Sequence, residues 1–263
     1  MIRAFSTAAT GMTAQQMIVD VISNNLSNIN TNGFKRSQVD FQDLMYVKLK
    51  EAGREVAAGV TAPNGFEIGS GVSPASTLKV FTPGEMANTG RELDLAIEGD
   101  GFFQVTGPNG QTRYTRDGAF RLDVNGNLVT SGGFVLQGVT IPSGAVSASV
   151  AEDGTVTVRM QSGGDFTTQT AGNIILARFT NPSGLTSEGG NMLAESAASG
   201  SPTTATPGQS GAGSIRQHFL EKSNVQMVTE LVNLITAQRA YEINSRAIKA
   251  GDEMLTTANR LMG

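Results

Sequence analysis

Cysteine is absent from the 263-residue sequence, so the chain forms neither disulfides nor thiolate metal sites. Tryptophan is also absent. No run of about 18 apolar residues occurs, so the sequence predicts no membrane-spanning helix. The segment from Met1 to Asp20 lacks the continuous apolar stretch of a signal peptide. We therefore expect that any route out of the cytoplasm does not use an ordinary cleaved signal.

Charged residues are scarce. They make up 16% of the chain, whereas about 25% is usual for soluble domains. This scarcity predicts that part of the surface is covered by other protein. The net charge of -4 and the absence of any block of Lys or Arg argue against binding to nucleic acid, which usually requires a basic patch.

Motifs that carry chemistry are also few. The single histidine, His218, lies in a strand-like segment and has no accompanying nucleophile motif, so a structural role is favoured over catalysis. The sequence GDGFF at 99–103 lacks the glycine spacing of nucleotide-binding loops. The sequence DVNGN at 123–127 begins like a calcium loop but lacks its later Gly and Glu ligand positions. The sequence therefore predicts no enzyme activity, cofactor, metal site or small-molecule substrate.

The first compositional zone, residues 1–33, has the apolar spacing of a helix that packs on another helix. Its apolar side chains recur every seven residues, with others three positions further on: Phe5, Met12, Val19, Ile22, Leu26 and Ile29. Most other positions are Ser, Thr, Gln, Asn and Ala, although a solvated helix would carry charge on its outer face. Neutral amides cost less to bury than ions, so we interpret four asparagines as a polar lining between neighbouring copies. They are Asn24, Asn25, Asn28 and Asn30.

The last zone, residues 215–263, combines a short return strand with a long helix. Ser223 and Gln226 have the spacing of a capping box, which predicts the helix start. Apolar residues at heptad-related positions follow it: Met227, Leu231, Leu234, Tyr241, Ile248 and Leu255. The length of this helix and the low charge of the first favour packing between subunits. The alternative is that both helices simply pack on the β domain.

The middle of the chain is punctuated by glycine and alternates as antiparallel strands do. Asn109-Gly110, Asn125-Gly126 and Asp153-Gly154 predict three hairpin turns. The predicted fold class is α+β, with long N- and C-terminal helices packing as a coiled-coil-like layer and an inserted, mainly antiparallel β domain. The predicted domains are an N-terminal helix at 1–33, a linker at 34–70, a β-rich outer domain at 71–214, and the return strand with the C-terminal helix at 215–263.

Segments at both ends and in the centre resemble signatures of the bacterial flagellar rod and hook proteins. They are DVISNNLSNINTNGFKRSQVDFQDLMY (20–46), LDLAIEGDGFFQV (93–105), YTRDGAFRLDVNGNLVTSGGFVLQG (114–138) and SNVQMVTELVNLITAQRAYEINSRAIKAGDEML (223–255). Within this family, the start MIRAFSTAATGM and the sequence QRAYEINS are most similar to distal rod subunits. The resemblance implies a structural subunit of the distal rod, which self-assembles into a rigid helical tube and transmits motor torque to the hook.

The resemblance also implies a location and partners. The location is the basal body, in the rod that spans the periplasm, after passage through the flagellar export apparatus. The partners are further copies of the chain, proximal rod proteins, the hook protein and the surrounding ring proteins. Two alternatives stay open: a proximal rod or hook subunit of the same family, and a secreted β-rich binding module suggested by the glycine-rich strands.

One segment, residues 46–63, corresponds by position to an insertion that is associated with a straight, rigid tube in distal rod proteins. We call it the candidate rigidity segment. Its representative residues are Tyr46, Lys50, Arg54 and Pro63. Deleting it is expected to make the tube bendable.

Overall fold

The computed structural model describes residues 2–51, 53, 55–57, 60–61, 64–162 and 165–262. A helix lies at each end of the chain, α1 (Ile2–Ser27) and α2 (Met227–Met262), and one 3₁₀ turn covers Pro182–Gly184. The strands are β1 (Ser37–Asp43), β2 (Val47–Lys50), β3 (Glu55–Ala57), β4 (Val60–Thr61), β5 (Phe66–Ile68), β6 (Val72–Lys79), β7 (Met86–Asn88), β8 (Leu95–Glu98), β9 (Phe102–Thr106), β10 (Thr112–Thr115), β11 (Arg121–Leu122), β12 (Asn127–Val129), β13 (Val135–Thr140), β14 (Ala145–Val150), β15 (Thr155–Ser162), β16 (Asp165–Asn173), β17 (Leu176–Arg178), β18 (Thr186–Gly189), β19 (Met192–Ala194), β20 (Thr203–Ala205), β21 (Ser214–Gln217) and β22 (Phe219–Glu221).

The predicted α+β fold class is wrong, because the chain is mostly β with a helix at each end. The predicted coiled-coil-like layer is also not observed. Several heptad residues of α2, among them Met227, Leu231 and Tyr241, are exposed and form no continuous seam. The spacing misled the prediction because any helix with one apolar face against protein has apolar residues three and four positions apart.

The chain divides into two compact units. Unit 1 contains Met1–Leu26, Ser37–Leu78 and Gln226–Gly263, and unit 2 contains Ser27–Arg36 and Lys79–Val225. In unit 1, two-stranded sheets pair β1 with β6, β2 with β5, and β3 with β4. Small residues mark two close approaches of α1 and α2 within this unit. A Cβ on Gly11 would lie 2.9 Å from Nδ2 of Asn244, and one on Gly251 would lie 2.8 Å from Cζ of Phe5.

Unit 2 is built on a twelve-stranded sheet with the order β14-β15-β16-β13-β9-β10-β19-β18, to which β11, β12, β17 and β20 are joined at the side. Its strand pairs are antiparallel, as the sequence predicted for the middle of the chain. The core consists of apolar side chains that alternate along these strands, including Phe103, Val105, Leu136, Val156 and Val158. A second cluster packs the rings of Phe102, Tyr114 and Phe179 edge to face.

The three predicted hairpins are confirmed, and they connect β9 to β10, β11 to β12, and β14 to β15. Gly110, Gly126 and Gly154 have φ angles of 75°, 81° and 84°. These left-handed conformations are strained for residues with a Cβ, which explains why glycine occupies each turn.

Strand β14 lies at the end of the main sheet, and side chains cover part of its outer edge. Gln217 Oε1 accepts a hydrogen bond from the Val150 amide at 3.0 Å, and Gln217 Nε2 donates to the Ala148 carbonyl at 2.8 Å. Uncovered edges pair readily with other chains. Gln217 therefore occupies backbone groups to which a neighbouring strand would otherwise bind.

Helix α1 ends at Ser27, before the last apolar residue of its predicted row, Ile29. Turns lead from there to Gly33, whose φ is 67°. Asparagine amides compete for backbone hydrogen bonds, so the asparagine-rich sequence favours turns over continued helix. Among the residues that the structure describes, no helix is both long enough and apolar enough to cross a membrane.

Candidate functional site

Three segments that are distant in sequence meet inside unit 2, at a site that we call the junction. It comprises Gly33–Arg36, which follows α1; Arg116, which follows β10; and Glu221–Asn224, which precedes α2. The junction is therefore where both helical ends of the chain connect to the β structure.

A carboxylate shared by two cations lies at the centre of the junction. Lys35 Nζ is 2.6 Å from Glu221 Oε1, and Arg116 Nη1 is 3.4 Å from Glu221 Oε2. The side-chain exposures of Lys35, Arg116 and Glu221 are 3%, 4% and 2%. Charges in such a position are stable only when they are paired and hydrogen-bonded. We call these three residues the buried triad.

Backbone groups add hydrogen bonds to the buried triad, and among the described residues only Arg116 Nε of its side-chain atoms is buried without a hydrogen-bond partner. The amide of Gly84 donates to Glu221 Oε1 at 2.8 Å, and Lys35 Nζ donates to the Thr82 carbonyl at 2.7 Å. Arg116 Nη2 donates to the Gly99 carbonyl at 2.7 Å. The Arg116 guanidinium also lies 5.3 Å from the centre of the Phe102 ring, at cation–π distance.

Burial sets the electrostatics of both cations. Desolvation lowers the pKa of Lys35 and the pKa of Arg116, and Glu221 opposes both changes by favouring the charged forms. The Glu221 carboxylate therefore favours the charged forms of both buried cations, and Asp100 also does so for Arg116.

A second set of hydrogen bonds holds the backbone of the junction together. The Gly33 amide donates to the Glu221 carbonyl at 2.7 Å, and the Arg36 amide donates to Asn224 Oδ1 at 2.8 Å. Asn224 Nδ2 donates to the Val80 carbonyl at 2.8 Å. The segment that precedes α2 thus lies between the segment that follows α1 and the approach to β7.

Contacts at the junction are close enough to require glycine. A Cβ on Gly84 would lie 2.0 Å from the backbone oxygen of Lys222, and a Cβ on Gly33 would lie 2.6 Å from the backbone carbon of Arg116. Both positions bring backbone against backbone, so a larger residue cannot be accommodated by a side-chain movement.

Unit 1 carries an exposed apolar surface on the first turns of α2. Its five large side chains lie on one helix face and are 40% to 75% exposed in the single chain. They are Met227, Val228, Leu231, Val232 and Ile235, and we call them the α2 apolar surface. A contiguous exposed patch of this kind is typical of a surface that another protein covers.

The residues predicted to pack between subunits have different environments. In the N-terminal zone, Ile22 is buried and the others are half-buried: Phe5, Met12, Val19, Leu26 and Ile29. On α2, the half-buried residues are Leu234, Ile248 and Leu255. The exposed residues are Met227, Leu231 and Tyr241.

The predicted polar lining is likewise divided. Asn25 is buried within its own chain, where its Nδ2 donates to the Ser37 carbonyl at 2.9 Å and its Oδ1 accepts from the Ser37 amide at 2.8 Å. Asn28 is half-buried and accepts a hydrogen bond from Thr31 Oγ1 at 3.1 Å. Asn24 and Asn30 are exposed.

Part of the candidate rigidity segment forms a two-stranded ribbon, in which β2 pairs with β5 and Lys50 lies opposite Phe66. Tyr46 and Lys50 are both exposed. Arg54 and Pro63 lie outside the described residues. Two-stranded ribbons are only marginally stable alone in water, so this one depends on further contacts.

His218 has a structural position in unit 2. Its φ of 68° places it in the left-handed region between β21 and β22, and its ring Nδ1 is 3.1 Å from the Arg91 carbonyl oxygen. Within the described ranges, no group of His, Asp and Glu side chains is arranged to hold a metal ion.

Sequence reasoning missed the buried triad and Asn224. The available signal was the presence of Lys35 and Arg116 in two family signatures of a chain with few charges. Their shared partner, Glu221, lies just before the C-terminal signature, and nothing in the spacing of the three residues pointed to a common contact.

Three family models match the chain in separate regions. The "Flagella basal body rod protein" model matches residues 5–35, the "Flagellar hook protein FlgE/F/G D1 domain" model matches residues 96–158, and the "Flagellar basal body rod FlgEFG protein C-terminal" model matches residues 216–261. Each region supplies one residue of the buried triad: Lys35, Arg116 and Glu221.

Relatives with the same arrangement extend the similarity to the full length. The flagellar basal-body rod protein FlgG of Buchnera aphidicola subsp. Acyrthosiphon pisum (strain APS) is 45% identical over 262 residues, which cover 99% of this chain and 100% of the relative. The rod protein FlgG of Borreliella burgdorferi (strain ATCC 35210 / DSM 4680 / CIP 102532 / B31) is 44% identical over 264 residues, which cover 99% of each chain. The flagellar hook protein FlgE of Helicobacter mustelae is 45% identical over 139 residues, but they cover only 52% of this chain and 31% of the hook protein.

The three matched regions define a subunit of a flagellar axial structure, in which rod and hook proteins share their terminal and central segments. Because similarity to rod proteins spans both chains, this protein belongs to the flagellar basal-body rod protein family. The prediction of a structural subunit of the rod in the flagellar basal body is confirmed.

Proposed function

We propose that this chain polymerises with copies of itself into the distal part of the rod, a straight tube that transmits motor torque to the hook. In this role it binds no small-molecule substrate and catalyses no reaction. Stiffness arises from close packing between copies, because interlocked side chains resist sliding.

The α2 apolar surface is the observation that carries this proposal. Five large apolar side chains stay 40% to 75% exposed in the single chain. Complete burial of such a side chain from full exposure contributes about 1.5–3 kcal/mol, so covering each one would contribute part of that amount. Contact between this surface and a different surface of the next copy would extend the assembly without closing it, as in a helical filament.

Other residues contribute to the same contacts in this proposal. The half-buried apolar residues of the N-terminal zone and α2 become fully buried between copies: Phe5, Met12, Val19, Leu26, Ile29, Leu234, Ile248 and Leu255. The exposed amides of Asn24 and Asn30 provide neutral polar contacts beside them. Ions at those positions would cost several kcal/mol each to desolvate, by order of magnitude.

The candidate rigidity segment has a distinct part in the proposal. Tyr46, Leu49 and Phe66 of the β2–β5 ribbon and its approach are all more than half exposed. If a neighbouring copy covers these three side chains, the contact would prevent that copy from sliding along the axis of the tube. Deleting residues 46–63 is expected to leave polymerisation intact and to make the tube bendable, and a deletion that leaves a straight tube would remove this role.

The proposed partners follow from the position in the rod. They are proximal rod proteins at one end, the hook protein at the other, and ring proteins around the rod where it spans the periplasm. The chain would reach this position through the flagellar export apparatus.

The test introduces charge into the α2 apolar surface. The double variant Leu231→Lys with Val232→Lys is expected to keep the monomer folded, because both side chains are already exposed, and to abolish formation of tubes measured by sedimentation and electron microscopy. Val124→Lys is the matched control, since Val124 is fully exposed in a turn of unit 2. Ordinary tubes from the double variant would refute the proposal.

A further inference from the structure

The order of the buried triad along the chain has a consequence for folding. Glu221 lies 186 positions after Lys35 and 105 positions after Arg116. Both cations therefore precede the only carboxylate within salt-bridge distance of them in the described residues.

Without Glu221, the two cations have incomplete compensation. Lys35 would retain the Thr82 carbonyl. Arg116 would retain the Gly99 and Ile97 carbonyls, the face of Phe102 and the attraction of Asp100, which lies beyond salt-bridge distance. Carbonyl oxygens provide hydrogen bonds but no negative charge, and an uncompensated buried ion is strongly unfavourable. Hydration of Lys35 and Arg116 would therefore compete with closure of the junction.

The segment that carries Glu221 also supplies the last strands of unit 2. Strand β21 pairs with β8, whose first three residues are buried, and β22 pairs with β7. Ile215 and Leu220 on these strands are buried. Apolar closure of unit 2 and neutralisation of its buried cations thus depend on the same late segment.

We propose that Glu221 acts as a latch: residues 33–36 dock onto the rest of unit 2 only when residues 214–225 bring this carboxylate between Lys35 and Arg116. Before that, the two cations keep the junction hydrated and open. A chain that emerges from its N-terminus onward would complete the junction only after most of its length is available. The latch is a property of the single chain and is independent of the proposed function in the rod.

Refolding of the full chain followed by pulsed hydrogen exchange tests the latch. In the natural sequence, the amides of Gly33 and Arg36 are expected to gain protection in the same kinetic phase as the amides of Leu220 and Lys222. Glu221→Gln keeps the shape and removes the charge. It is expected to reduce the final protection of Gly33 and Arg36 roughly 100-fold or more, as loss of one partner of a buried ion pair does. Glu98→Gln is the control, because the Glu98–Arg216 pair is about half exposed, and it should behave like the natural sequence.

A second variant separates the loss of charge from a general loss of folding. Lys35→Met combined with Glu221→Gln removes one of the two cations that lack a counter-ion. In this double variant, the protection of the Gly33 amide and the refolding yield should be at least about tenfold higher than in Glu221→Gln alone. A factor of about ten corresponds to one pKa unit of interaction. Early protection of residues 33–36 before residues 220–222 would overturn the proposal. So would a double variant no better than Glu221→Gln, since the defect would then not arise from an uncompensated cation.

Discussion

The Nζ atom of Lys35 lies 2.6 Å from Oε1 of Glu221, although the two residues are 186 positions apart in the sequence. Their contact joins the segment that leaves α1 to the segment that enters α2, with Arg116 on the other carboxylate oxygen. The segments that follow α1 and precede α2 therefore meet within unit 2 at one buried charge cluster.

Replacing Lys35 by methionine should reduce the free energy of unfolding by about 3 kcal/mol, because Glu221 loses its nearest cation in a buried position. Lys48→Met is the control. Lys48 is 3.8 Å from Glu67 in an exposed pair, and its loss should cost about 0.5 kcal/mol or less. Urea titrations of the monomer measure both values, and equal losses would contradict the assignment of the triad as a stabilising site.

Asn25 hydrogen-bonds both the amide and the carbonyl of Ser37, because its side-chain amide accepts through Oδ1 and donates through Nδ2. Asn25→Asp keeps the acceptor and removes the donor, so we expect a loss of about 2 kcal/mol. Exchange of the Ser37 amide should also accelerate. Asn30→Asp, at an exposed position, should change stability little, and a comparable effect there would indicate a general charge effect.

Gly84→Ala tests the close approach of backbone at the junction. The new Cβ would lie 2.0 Å from the Lys222 carbonyl oxygen, so the two segments must separate. We expect a loss of about 2 kcal/mol, typical of overpacking, in thermal unfolding of the monomer. At Gly132, a Cβ would lie 3.4 Å from the Phe134 ring, which is ordinary contact, so Gly132→Ala should be tolerated.

Burial raises the pKa of Asp117 above its usual 3.8, and the nearby Asp94 adds to this effect. Between pH 3.8 and the raised pKa, the folded state binds more protons than the unfolded state. The contribution of Asp117 to the free energy of unfolding therefore falls as the pH rises. Asp117→Asn removes this contribution. Relative to that of the natural sequence, the free energy of unfolding of the variant should increase as the pH rises through that window. Denaturant midpoints measured across this pH range test the trend.

The pKa of Asp153 changes in the opposite direction, so this residue serves as a comparison. The backbone hydrogen bond from Thr155 lowers the pKa of Asp153, so its contribution to stability is lost as the pH falls through the lowered value. Asp153→Asn should therefore lower the free energy of unfolding most near neutral pH. The same pH trend in both variants would contradict the roles given to burial and to the turn.

The sequence predicted the hairpins well, because Asn-Gly and Asp-Gly turns depend on local backbone preferences that few other residues satisfy. It also located α1 and α2, although the asparagines end α1 before the apolar row does. Helix packing was not predictable in the same way. Apolar spacing shows that one face contacts protein, but it contains no information about which protein surface that is.

The candidate site was only half predictable for a related physical reason. Exposed apolar residues of α2 are visible in a periodic pattern, since periodicity is a local property. The buried triad depends on three residues that only the tertiary fold brings together, and no local rule connects Lys35 with Arg116 and Glu221. Asn25 likewise has an intrachain partner, Ser37, that its position in an asparagine-rich segment did not reveal.

Gln217 has a consequence beyond the stability of one sheet. A protein that must associate with its own copies at high local concentration risks joining them by the wrong surface, and an open β edge is the least selective surface a chain can offer. Gln217 hydrogen-bonds the backbone of Ala148 and Val150, so these groups are not available to a strand of another copy that would start a disordered aggregate. Growth is then directed to surfaces where side-chain shape decides which neighbour fits.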